Sequence, residues 1–195
     1  MVEFSLVILI FITLIMAIIE FALVVFAASN LVEATRVASR NAIVRTPFCD
    51  IFGTGTTAAT GCPSVIMSCD PSAPSGPVEL EIDDCATYTT PECEMVEEMN
   101  RRMHRGDTAT YPENSILAGD GKVIVKYSCP STTVGDPSIV GTFNPIVTVA
   151  AQNIQHQTLF LNFSPNDCGS DTLCIVLPDT EASRIGEDMY TEGGS

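Results

Sequence analysis

Eight cysteines carry most of the chemistry open to this sequence: Cys49, Cys62, Cys69, Cys85, Cys93, Cys129, Cys168 and Cys174. No two are spaced as Cys-x-x-Cys, so a dithiol redox centre is not indicated. A structural zinc site would show closely paired ligands. No such pair occurs, His104 and His156 stand away from the cysteines in sequence, and no metal ligand set is assigned. An even, dense set of cysteines beyond an apolar amino-terminal segment reads instead as disulfides made in an oxidising space. The pairing stays open; Cys168 and Cys174 are the two closest in sequence.

Other reactive constellations are sparse. There is no glycine-rich phosphate loop, no His-Glu-x-x-His and no Gly-x-Ser-x-Gly. Asp167, Asp171 and the acids of the tail lack the ligand spacing of a calcium-binding EF-hand loop. Asn162-Phe163-Ser164 fits the glycan acceptor pattern. The formal net charge is −15, with the acids almost entirely beyond the first helix. Nucleic-acid binding depends on Lys and Arg neutralising phosphates, so this balance argues against it. The expectation is a protein that is not an enzyme and needs no cofactor. A membrane-anchored extracytoplasmic enzyme using His104 or His156 is the remote alternative, since a catalytic triad need not be local in sequence.

The elements that hold these residues begin with residues 1–45. Between Phe4 and Ala28 the only ionisable side chain is Glu20, and no glycine or proline interrupts the chain before Pro47. A bilayer core takes about 20 apolar residues, so a single membrane-spanning helix is expected. A cleaved secretory signal would start basic and be shorter in its apolar core. Past the apolar run the helical pattern continues but turns amphipathic. Leu31, Ala34, Ala38 and Ala42 share one face; Glu33, Arg36 and Arg40 share another. Thr46-Pro47 should end the helix, because the residue before proline is pushed out of the helical region. Ala17, Ala22, Ala27, Ala28, Ser29, Ala34, Ala38, Ser39 and Ala42 are small enough to allow close helix–helix packing.

Two glutamates in this segment need partners or water. Glu3 stands at the start of the span. Glu20 lies about 25 Å further along, where it is either interfacial or buried against a partner. Lys and Arg are absent before Arg36, so the nearest cation that an identical subunit could offer Glu3 is its terminal amine, at Met1.

Three pieces of this segment together resemble the amino-terminal region of TadE-like proteins, within the type IV pilin superfamily. They are Val2-Glu3-Phe4-Ser5-Leu6, Ile18-Ile19-Glu20-Phe21 and Ala34-Thr35-Arg36-Val37-Ala38-Ser39-Arg40. The resemblance implies a prepilin peptidase acting before the apolar helix, and a pilus assembly machinery. It also implies that Glu3, beside Met1 and Phe4, sets the register of one subunit on the next. The superfamily's glutamate is usually fifth from the cut, whereas Glu3 is third in this sequence.

Residues 46–195 form the second expected domain, extracytoplasmic and disulfide-stabilised. Residues 77–82 alternate apolar and acidic side chains, a half-exposed strand. Thr90-Pro91 opens a short helix with Thr90 as cap, and Gly106 is the expected stop. On it Met95, Met99 and Met103 make an apolar stripe expected to pack on a sheet, while Glu97–Arg101 and Glu98–Arg102 are ion pairs. Residues 122–128, 139–150, 158–163 and 173–177 read as strands, and residues 179–195 as an acidic, solvated tail.

The expected fold class is α+β: a long apolar helix, then a mainly antiparallel β domain with one short helix. The expected function is a structural, pilin-like subunit that polymerises through its amino-terminal helix into a surface filament. It would be a homo-oligomer, stored in the inner membrane as a single-pass protein before assembly. The alternative is a minor TadE-like pseudopilin that acts in assembly at the inner membrane or the filament tip.

Overall fold

Without glycine or proline to break it, the amino-terminal segment forms one continuous helix, α1, over Val2–Val44. The structure is a computed structural model and describes residues 2–44, 48–49, 76–85, 90–103, 115–129, 145–158 and 174–185. At 1.5 Å per residue, α1 is about 65 Å long, roughly twice the thickness of a bilayer core.

The remaining elements follow as β1 (Val78–Ile82), α2 (Pro91–Arg102), β2 (Lys122–Ser128), β3 (Ile146–Gln152), β4 (Gln155–Gln157), β5 (Cys174–Val176) and β6 (Thr180–Ile185). Four strands make an antiparallel sheet in the order β1-β2-β3-β6, and β4 pairs with β5 in a separate ribbon. The fold is α+β, as the sequence implies.

Alternation assigns the two faces of the main sheet. Leu80, Val125, Val149 and Ala182 stand opposite one another across the four strands, on the side that faces the helices. Val78, Ile82, Val123, Tyr127, Val147 and Ala151 fill the same side and are all buried. The other side is charged. Lys126 Nζ meets its cross-strand partner Glu79 at 2.7 Å, and Lys122 Nζ reaches Glu81 at 3.0 Å. This pairing fixes register, since a one-residue slip would put both glutamates in the core.

The turn before β2 depends on its glycines. Gly119 has φ +65, and a Cβ on Gly121 would overlap the Ile116 carbonyl oxygen. The same turn is tied to α2 by Asn100. Its Oδ1 accepts from the Ile116 N–H at 2.8 Å, and its Nδ2 donates to Ser115 Oγ at 3.2 Å.

Two expectations about the ends of elements need correction, and two others gain detail. The stop of α2 is at Arg102, with Met103 as C-cap, earlier than Gly106; the apolar face of the helix ends at Met103, and only polar residues precede Gly106. Thr90 is the N-cap and Pro91 follows it, as expected; the Thr90 carbonyl accepts from the Cys93 and Glu94 N–H groups, and its side chain makes no cap bond. The expected apolar stripe Met95, Met99 and Met103 is buried in one hydrophobic cluster with the inner residues of the sheet, and the backbone of α2 also runs close to α1. Residues 180–185, read as solvated tail, form the edge strand β6. Its polar composition conceals two small inward residues, Thr180 and Ala182, which let α1 approach.

The expected ion pairs on α2 are present, with Arg102 Nε 3.1 Å from Glu98 and Arg101 3.7 Å from Glu97. The strand expected at 139–150 is found as Ile146–Gln152, and that at 173–177 as Cys174–Val176. Thr158 is not in a strand. Residues 139–144 and 159–163, His104, Gly106, Asn162-Phe163-Ser164, Asp167 and Asp171 lie outside the described residues.

Candidate functional site

The residues singled out in the sequence converge on α1, and α1 has two unlike halves. Over residues 4–19 every side chain is exposed, including Phe4, Leu6, Val7, Leu9 and Phe11. This half has no preferred apolar face, since apolar residues surround it. It is the one helix, among the described residues, that is long and apolar enough to cross a membrane.

From Glu20 onward one side of the helix closes. Glu20 is 8% exposed although Ile18, Ile19 and Phe21 around it are open. Val24, Ala27 and Ala28 pack against the domain core, and Leu31, Ala34, Thr35, Ala38, Ser39, Ala42 and Ile43 are buried. These positions recur at three- and four-residue steps, the period of one helix face. Most are small, so the backbone of α1 lies close to β3, β6 and α2. Thr35 Oγ1 donates to or accepts from Thr180 Oγ1 at 2.8 Å, joining α1 to β6. The opposite face carries Glu33, Arg36 and Arg40 in solvent, with Arg36 3.9 Å from Glu33.

The two glutamates are therefore not brought together. Glu3 lies in the first turn of α1, and Met1 lies outside the described residues. Seventeen steps of about 100° leave Glu3 and Glu20 roughly 25 Å apart along the axis and on different faces. Of the two sequence readings of Glu20, the structure supports the buried one. Much of the expected small-residue stripe is taken up within the chain, by the sheet and α2. Ala17 and Ala22 remain exposed.

The cysteines anchor the other side of this helix–sheet unit. Cys85, just after β1, is bonded to Cys93 in the first turn of α2, with Cα atoms 5.5 Å apart. Cys49, Cys129 and Cys174 are also disulfide-bonded, and among the described residues no cysteine is free. Cys62, Cys69 and Cys168 lie outside the described residues, and so does the pairing suggested for Cys168 with Cys174. Among the described residues no group of His, Cys, Asp and Glu is arranged to hold a metal ion.

Sequence reading missed Tyr127, the largest fully buried side chain among the described residues. Its hydroxyl accepts the Phe48 N–H at 3.0 Å, joining the chain just beyond α1 to the sheet. Burial pushes its phenol well above the ordinary value. The Phe48 hydrogen bond opposes this, and the Glu92 carboxylate adds to it. Glu92 is itself buried in the first turn of α2, where the helix dipole favours an acid. The signal for Tyr127 was present in the alternation of KVIVKYS, which places it with Val123 and Val125.

No curated protein and no solved structure matches the chain. The three sequence pieces quoted above all fall in the one segment that a family comparison recognises. Residues 1–40 of the 195 match the family model of TadE-like proteins.

Proposed function

We propose that this protein is a structural, pilin-like subunit. It is stored in the inner membrane through the inner half of α1 and then polymerises through that helix into a surface filament. The observation that carries the reading is the division of α1. Residues 4–19 are apolar on all sides, while the same unbroken helix is fastened to a folded domain from Glu20 onward. A subunit with that build can exchange lipid for copies of its own helix without refolding the domain. The TadE-like match over residues 1–40 supports a place in a pilus system. By that resemblance, prepilin peptidase and the pilus assembly machinery are its partners, and Glu3, with Met1 and Phe4, sets subunit register. The role is structural and involves no catalysis.

The same match favours a second reading, a minor TadE-like pseudopilin acting in assembly at the membrane or the filament tip. Shearing filaments from the cell surface, imaging them and identifying the dominant protein separates the two. This chain as the main component supports the first reading, and a trace amount overturns it in favour of the second.

A further inference from the structure

The burial pattern of α1 between Glu20 and Val32 does not fit a helix that leaves the membrane before its domain begins. One side of this stretch is covered: Glu20 is buried, and on the same side Val24, Ala27, Ala28 and Leu31 belong to or pack against the domain core. The other side is open and apolar. Phe21 is 71% exposed, Val25 52% and Phe26 56%. At about 100° per residue, these three and Val32 spread over the arc opposite Glu20.

Length decides what covers that arc. The fully exposed, uncharged residues 4–19 span about 24 Å, whereas a hydrocarbon core is about 30 Å thick. With Glu3 at one interface, the far side of the core is reached only near Leu23. Phe21 and Ala22 then lie at the depth of the acyl chains, and Val25 and Phe26 at the boundary with the headgroups. Glu20 lies at acyl depth as well. An acid at that depth faces protein rather than lipid, and Glu20 is the one residue of its turn that is covered.

We propose that the domain is partly sunk into the outer leaflet of the bilayer. Residues 20–27 of α1 form a two-faced collar, with the domain against Glu20, Val24 and Ala27, and lipid acyl chains against Phe21, Val25 and Phe26. The partner of this surface is the bilayer, continuous with the lipid contact of residues 4–19. The inference rests on the membrane-spanning reading of α1. It adds that the span and the domain overlap by about two helical turns.

The chain contains no tryptophan, so each introduced tryptophan is a sole reporter. Full-length Phe11→Trp, Phe26→Trp and Arg40→Trp proteins, all substituted at exposed positions, are reconstituted in phosphatidylcholine vesicles. The acyl chains of the lipid are brominated at shallow or deep carbons. Phe11→Trp should be quenched most by deep bromines, Phe26→Trp several-fold by shallow ones, and Arg40→Trp by neither. Quenching at Phe11→Trp with none at Phe26→Trp overturns the collar and leaves the span intact. If Phe26→Trp is shielded at high protein density and becomes quenched only on dilution into excess lipid, a second copy covers the arc, and the proposal also fails. Absence of quenching at Phe11→Trp removes the spanning reading and the collar with it.

Discussion

The two halves of α1 share a backbone and differ in what solvates them. The inner half, residues 4–19, is built mostly of large side chains, and all of its residues are exposed. The outer half buries a stripe of Ala, Ser and Thr with Leu31 and Ile43 at its ends. Large residues suit a fluid partner, which conforms to any shape. Small ones suit a rigid partner, which must be approached closely and in one register. A helix uniform in secondary structure can thus be divided by side-chain volume, and the division falls at Glu20, earlier than the polarity of the sequence suggests.

Substitutions should separate along that division. The largest effect is expected from Glu3→Ala. In an assembled core the carboxylate would pair with a neighbour's terminal amine, and breaking a buried pair costs about 3–5 kcal/mol. Filament yield should collapse while the membrane fraction and the domain's unfolding midpoint stay unchanged; a normal yield would remove the pairing.

Next comes the Cys85→Ser/Cys93→Ser double variant. Opening a loop of 8 residues releases about 2.5 kcal/mol of constraint on the unfolded chain. The domain's urea midpoint should fall with α1 still helical and inserted. Loss of helical signal from the inner half would mean that the two halves are not independent.

Ala38→Leu should cost about 1–3 kcal/mol, because Ala38 is buried where α1 meets the domain and the isopropyl group added to its Cβ would overpack that contact. Ile12→Leu, on the exposed half, should leave the same unfolding curve unmoved. Equal shifts from both would erase the distinction.

The smallest effect at neutral pH belongs to Tyr127→Phe, about 1 kcal/mol for one hydrogen bond. Its pH dependence is sharper. The folded pKa of Tyr127 is raised above the unfolded one by burial. Its contribution is therefore complete below about pH 10 and is lost as pH climbs toward the folded value, at about 1.4 kcal/mol per unit. Chemical-denaturation midpoints of wild type should fall more steeply above pH 10 than those of Tyr127→Phe. Parallel curves would show that the phenol ionises freely in the folded domain.

Local periodicity made much of the fold legible. α1, β1, α2 and β2 each declare themselves through spacing: an uninterrupted apolar run, alternating Val78, Leu80 and Ile82, a methionine every fourth residue, and KVIVKYS. What failed depended on contacts distant in sequence. β6 carries Glu181, Ser183 and Arg184 and looks solvated; only its pairing with β3 and the Thr35–Thr180 contact, 145 residues apart, make it a strand. Periodicity identifies an apolar face, as in the methionine stripe, but not every element that meets it. Of the candidate site, the helix and its two acids were visible at once. The covering of Glu20 was not, because nothing near residue 20 encodes where the domain will fold.

The seam between α1 and the domain also has a mechanical consequence. Residues 20–43 keep one face against the domain over about 36 Å. A pull along the axis of α1 loads that whole seam in shear. The contacts along it, from Val24 to Ile43 and including the Thr35–Thr180 bond, share the force instead of failing one after another. Tension on one end of the helix is thus carried into β6 and β3 as a distributed load, and the rod and its domain resist separation as a single strut.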